Sequence, residues 1–323
     1  MGRLYNRRAY VAIGPEVGDE TTVIMPGTLR VSFSVVKTVA SQPNALNVQI
    51  YNLNRASRAK IESPEINIVT LHAGYEDDIK GNDPKSLPIV SRADITNVHH
   101  RKYGNDYVTE IEAGEGTVTH ALAFVNDRIK PGANVTAIFD LLKESFNKVQ
   151  VDADGISANR GFAVCKDFEE VIKEATTEAK SARLAKLTEI YDKNKNLANG
   201  ITLHGFTRDI MDNLADRHEL WWYLENNVLI VTPLSGFIKS GVNKVFTPEN
   251  GLRGVPEKMD KGGVCICLNL TPAVVPWSQL EIGMNLKENK QLFDGKYTLR
   301  RVEHQGDTGS SGPWNSIAEG FVL

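Results

Sequence analysis

The chain is poor in the features that announce a compartment or a chemistry. Nowhere in its 323 residues does an apolar run reach the roughly 18 residues that a membrane-crossing helix needs, so no segment reads as a span. The opening Met1-Gly2-Arg3-Leu4-Tyr5-Asn6-Arg7-Arg8 is basic, but no sustained apolar stretch follows it. A secretory signal is therefore not expected, and folding in a cytoplasm is. Cysteine is scarce: Cys165, Cys265 and Cys267 are too few for a disulfide framework. Cys265 and Cys267 stand two apart, on one face of a strand, without the two-residue spacer of redox and zinc motifs. They read as buried apolar thiols. A net charge of -3 excludes a strongly basic nucleic-acid footprint.

Motifs of catalysis fail on spacing. His218-Glu219 opens like a zinc-protease helix, but Trp222 stands four residues after His218, where a second imidazole is required on the same helix face. His99 and His100 are neighbours on a predicted strand and point to opposite faces, so they do not share a metal. Asp152-x-Asp154-Gly155 has Ile156 where a calcium loop needs oxygen and its glycine one step early; it reads as a turn. Gly236-Phe237-Ile238-Lys239-Ser240 ends like a phosphate loop, but its glycine lies too close to Lys239. Gly114-Glu115-Gly116 lacks the third glycine of a dinucleotide site, and there is no Gly-x-Ser-x-Gly elbow. His304, Gly306, Asp307 and Thr308 include ligand-type residues, yet turn chemistry accounts for them: Asp307 and Thr308 bond their own backbone, and Gly306 takes positive φ. No catalytic, cofactor-binding or metal-ligating residue is assigned, no cofactor is expected, and the chain reads as a non-enzyme.

What the sequence does hold is strand pattern around a mixed middle. Leu29, Val31, Phe33 and Val35 alternate with polar residues, and Leu46, Val48 and Ile50 do so again after the turn residues Ser41-Gln42-Pro43-Asn44. Asn54 caps a short helix over 55–60, and strands are predicted at 66–73, 87–99 and 107–113. Val135, Ile138, Phe139, Leu142 and Phe146 then recur at helical spacing. The stretch 167–196 is the longest helical pattern, with a narrow stripe of small residues that suits a projecting helix or hairpin. It is either a docking element or a solvated decoration. Next comes a β-α-β-β module: a strand at 201–205, a helix from Thr207 to Arg217 or His218, and strands at 219–224 and 228–231 around Glu225-Asn226-Asn227. Trp221 and Trp222 face opposite sides, either one in the core and one half-exposed or both packed. The last ninety or so residues return to strands at 262–270, 279–288, 296–305 and 314–322, with Asp294-Gly295 as a hairpin turn. The fold class is α+β and β-dominated.

Several phrases, in order, resemble the baseplate hub proteins of contractile-tailed bacteriophages. They are Leu29-Arg30-Val31-Ser32-Phe33-Ser34-Val35-Val36-Lys37-Thr38 with Pro43-Asn44 and Val48-Gln49-Ile50-Tyr51-Asn52-Leu53; Leu71-His72-Ala73-Gly74-Tyr75; and Glu110-Ile111-Glu112-Ala113-Gly114-Glu115-Gly116. Leu203-His204-Gly205, Leu214-Ala215-Asp216-Arg217-His218 and Val228-Leu229-Ile230-Val231 follow. Gly251-Leu252-x-Gly254-x-Pro256-Glu257, Tyr297-x-Leu299-x-x-Val302-x-His304-x-Gly306-Asp307-Thr308 and Trp314 complete the set. Gly309 departs from the histidine often found there, and the resemblance skips about 130–200. It implies two similar β-barrel hub domains at 1–119 and 236–323, flanking a middle α/β module at 120–235 with a helical insertion at about 165–198. It further implies a homotrimer with pseudo-sixfold symmetry in a virion tail baseplate. The implied partners are a trimeric spike, a tail tube or tube-initiator protein, and, further out, a tape measure protein and the baseplate wedge. DNA would pass transiently without specific binding, and this chain would insert in no membrane. The rivals are a secretion-system spike protein, which should continue into a long β-helix, and a cell-wall-degrading or polysaccharide-binding tail protein.

Overall fold

The alternating runs dictate the first elements, because a period of two puts every second residue on one face of a strand. The computed structural model describes residues 6–15, 22–24, 28–63, 67–81, 83–133, 136–147, 199–218, 220–226, 228–233, 245–259, 262–284, 293–309 and 311–322. In chain order the first segment gives β1 (Arg7–Gly14), β2 (Thr22–Ile24), β3 (Val31–Thr38), β4 (Ala45–Tyr51), α1 (Arg55–Ile61), β5 (Ile68–Tyr75), β6 (Ile89–Tyr103) and β7 (Asp106–Gly114). The middle gives α2 (Thr117–Leu122), β8 (Phe124–Ile129), α3 (Thr136–Asn147), β9 (Ile201–Phe206), α4 (Thr207–His218), β10 (Leu220–Glu225) and β11 (Val228–Pro233). The last gives β12 (Val245–Phe246), β13 (Glu257–Lys258), β14 (Gly263–Asn269), β15 (Gln279–Ile282), β16 (Gly295–Asp307) and β17 (Trp314–Val322). The 167–196 helical pattern, Asp152–Gly155, Gly236–Ser240 and Cys165 lie outside the described residues.

The chain divides into two compact units, one of 1–39, 44–115 and 238–323, the other of 40–43 and 116–237. In the first, thirteen strands form one sheet in the order β13-β14-β17-β16-β3-β4-β7-β6-β5-β1-β2, with β15 also on β16 and β12 on β15. The expected pair of barrels is thus one continuous sheet: β16 pairs antiparallel with β3 from Arg301↔Thr38 to Asp307↔Ser32. Among the described residues no ladder closes either half. Each half has its own core. Val11, Phe33, Val48, Leu71 and Ile111 belong to one, and Phe246, Ile266, Leu280, Leu299 and Val302 to the other.

Two elements depart from the sequence expectation. Ala9-Tyr10-Val11-Ala12-Ile13, where the sequence predicts no strand, is the body of β1, paired with β5 and β2 and buried on both faces. A doubly covered strand shows no alternation, so periodicity does not flag it. Asp294-Gly295 is not a two-residue turn: Ile282 pairs with Gly295, and Asp294 accepts the Met284 N–H at 2.6 Å, closing a longer connection.

The second unit packs α3 and α4 over β8–β9 and β10–β11. Ile138, Leu142 and Phe146, at the helical spacing expected, share one core with Met211, Leu214, Trp222 and Leu229. Trp222 is buried, its indole N–H donating to Asp212 Oδ1 at 2.8 Å, while Trp221 is half-buried.

Candidate assembly site

The residues weighed for catalysis are dispersed. Side chains of His99 and His100 take opposite faces of β6: His99 Nε2 lies 2.8 Å from Asn97 Nδ2, and His100 reaches Thr109 and Glu62. Cys265 and Cys267 are half-buried free thiols on one face of β14, less buried than expected. Partial burial and the nearby Glu319 push the Cys265 thiol up, away from the reactive thiolate. Among the described residues no three His, Cys, Asp or Glu side chains are grouped to hold a metal.

The phrase Gly306-Asp307-Thr308 instead forms a structural clamp. Arg30 grips Asp307 through both carboxylate oxygens, Nε to Oδ1 at 3.0 Å and Nη2 to Oδ2 at 2.7 Å. This bidentate contact holds the Asp307 carboxyl below the usual carboxylate range, and the Gly309 N–H adds to it at 2.7 Å. Arg7 Nη1 donates to the carbonyls of Asp307 and Gly312 at 3.2 and 2.7 Å, tying β1 to the start of β17. Thr308 does not bond its own backbone: its Oγ1 accepts the Val31 N–H at 2.9 Å. Nor does Gly306 stand among the positive-φ glycines. Its missing side chain serves a close approach: a Cβ there would collide with Phe33 Cζ and lie 2.9 Å from Trp314 Cζ3. The two rings meet edge-on across the glycine, centroids 5.7 Å apart.

Sequence reasoning missed a second constellation. Lys37 and Glu115 are 1% and 0% exposed and lie 3.3 Å apart. Glu115 also accepts from Asn44 Nδ2 at 2.9 Å and Ser91 Oγ at 2.6 Å, while Asn44 Oδ1 accepts the Thr38 N–H at 2.9 Å. The signal was available: Lys37 continues the inward face of Val31, Phe33 and Val35, and Glu115 that of Thr109, Ile111 and Ala113. His304 lies fully buried on neighbouring β16. Ser316 Oγ accepts the Thr271 N–H at 2.9 Å and also lies 2.8 Å from His304 Nδ1. Burial, and then the Lys37 charge, push the His304 pKa down to about 3. These groups stand at the seam between the sheet halves and where the chain leaves and re-enters the first unit.

No protein-family model matches the chain, and no curated protein matches it in sequence. Solved structures do match in fold. The 43 kDa tail protein of prophage MuSo2 from Shewanella oneidensis superposes with a TM-score of 0.56 at 7% identity, covering 97% of this chain and 96% of that one. A tail protein from Neisseria meningitidis MC58 gives 0.56 at 10% identity, covering 98% and 96%. The Escherichia coli c3393 protein gives 0.50 at 9% identity over 91% of this chain and 73% of that one. It is described as a type VI secretion component with structural similarity to the T4 bacteriophage tail proteins gp27 and gp5. The chain shares the β-rich fold of these phage tail and type VI secretion proteins.

Proposed function

We propose that the chain is a structural baseplate hub subunit of a contractile phage tail. Three copies form a pseudo-sixfold ring that joins the tail tube to the central spike and leaves a channel for DNA. The observation that carries this is the single sheet with two cores, one in each chain-terminal half, joined through β3 and β16. A subunit with two such halves offers a hexameric tube six places from three chains and still presents threefold symmetry to a spike. In this reading 1–119 and 236–323 are the two hub halves of that sheet and 120–235 the middle module. The tube initiator and spike are direct partners, with the tape measure protein and wedge beyond. The role is assembly, without catalysis.

Light scattering after gel filtration, with negative-stain averages of the peak, tests it. The expected mass is three times 35.7 kDa, about 107 kDa, in rings with an open centre. A chain that stays monomeric even with its spike protein present would end the hub reading. Clearing of labelled peptidoglycan by purified protein would support a hydrolase instead.

A further inference from the structure

β6 outruns its neighbour. Its pairing with β5 runs only to Ile68↔Asp94, a last bond joins the Ile95 N–H to the Asn67 carbonyl at 2.8 Å, and a bulge follows between Ile95 and Asn97. From Asn97 to Tyr103 the strand pairs only with β7. The hairpin turns at Gly104-Asn105, with Gly104 at φ 61°, which makes Tyr103–Asp106 the first hydrogen-bonded rung. Counting back, Arg101 and His99 bond across to β7, while Val98, His100 and Lys102 turn their N–H and C=O groups outward. Tyr107, opposite Lys102, fits this phase, since its backbone faces away from β6 and bonds Asn52. Among the described residues no backbone group pairs with the outward edge of Val98, His100 and Lys102. Strand edges of this kind are templates for another strand.

The side chains around the edge select the sign of an occupant. Arg101 is 67% exposed, Lys102 is exposed, and Arg58 lies over the Tyr107 ring at 5.0 Å. α1, which reaches this end through Arg58 and Glu62, also carries Arg55 and Lys60 in solvent. Arg55, Arg58, Lys60, Arg101 and Lys102 outnumber the nearby acids: Glu62 meets His100 at 3.2 Å, Asp106 accepts from Asn52 Nδ2 at 2.8 Å, Glu110 pairs with Arg101 at 3.5 Å, and Glu112 accepts from Asn97 Nδ2 at 3.4 Å. Tyr103, 79% exposed, flanks the edge. We infer that the outward edge of β6 from Asn97 to Tyr103 receives an extended acidic segment of a partner protein, added to the sheet as a strand. An extended chain is the occupant that meets alternating donors and acceptors at the strand repeat, and the cations choose an acidic one. This is independent of the ring reading, because a monomer presents the same edge.

Amide hydrogen exchange, read residue by residue on the full chain, tests it. The probe is a blocked nine-residue peptide alternating glutamate with valine and threonine, with its lysine counterpart as control. In the free protein the Val98, His100 and Lys102 amides should exchange about tenfold or more faster than those of His99 and Arg101, which bond to β7. The acidic peptide should slow the three outward amides and leave His99 and Arg101 unchanged; the lysine peptide should slow none. Lys102→Glu should weaken the peptide by about threefold or more. His100→Pro, which removes one outward N–H and spares the β7 ladder, should weaken it too. Outward amides already protected in the free chain, protection that rises with protein concentration alone, or equal response to both peptides would each overturn the proposal.

Discussion

Gly306 sits opposite Phe33 on one neighbouring strand and Trp314 on the other, and its lack of a side chain is what lets those rings meet. Gly306→Ala should therefore cost about 1–3 kcal/mol of unfolding free energy through overpacking. Phe33→Leu, made in the same chain, should recover part of that loss, so the two changes together cost less than their sum. Additive losses in urea melts would mean the ring is not what the added methyl meets. His304 makes a pH prediction. Its ordinary pKa is 6.5 and its folded value about 3, so between those limits the unfolded chain takes a proton that the folded chain refuses. Its contribution to stability is complete above the upper limit and falls as pH drops through this window, by up to ~1.4 kcal/mol per pH unit. The depressed Asp307 carboxyl adds its own loss only below about pH 4. His304→Gln should be less stable at neutral pH yet lose less stability between about pH 6.5 and 4.5. Equal slopes for the two proteins in urea unfolding would sink this assignment.

Among the elements, β3 and β7 each end an apolar inward face with a charge, and the two charges meet. Lys37→Met should leave Glu115 buried without its cation and cost about 3–5 kcal/mol. Adding Glu115→Gln, which keeps an acceptor for Asn44, should recover at least half of that. A double variant no better than Lys37→Met would show that the pairing of charges is not what the site needs. The alternation of β3, β4 and β7 was plain in the sequence, and so was the Asn54 cap, whose side chain accepts the Ser57 N–H at 2.8 Å. The polar ends of those faces were equally visible, but a lysine two residues beyond Val35 looks like the end of a strand until its partner, far along the chain, is known. β1 was hidden for the opposite reason: burial on both faces erases alternation. The Gly306 role was also out of reach, since the residues that need the space lie on other strands. Local pattern shows which face is buried; it does not show what lies across from it.

At the scale of the molecule, the ordered phrases indicated hub-like ends around a mixed middle, but nothing local could reveal that the two ends share one sheet. The β3–β16 ladder joins residues nearly the whole chain apart, from Thr38↔Arg301 to Ser32↔Asp307. Both strands have partners on either side, β4 beyond β3 and β17 beyond β16, so the seam lies inside the sheet and not at its margin. The Arg30–Asp307 clamp and the Arg7 contacts cross from the amino-terminal segment to the carboxy-terminal one at one end of that seam, His304 lies at its middle, and Lys37 lies toward its other end. Opening either half alone would strip partners from a central strand and expose the buried Lys37–Glu115 pair. The two halves should therefore unfold as one cooperative body, with β4 and β17 amides reporting opening free energies within about 1 kcal/mol of each other. Val302→Ala, placed in the carboxy-terminal core, should lower both by a similar ~1–3 kcal/mol, although β4 lies in the other half. Native-state hydrogen exchange measures this directly. If the substitution loosened β17 and left β4 untouched, the seam would be a junction between separately folding halves, and the clamp at Asp307 would be a tether and not part of a common core.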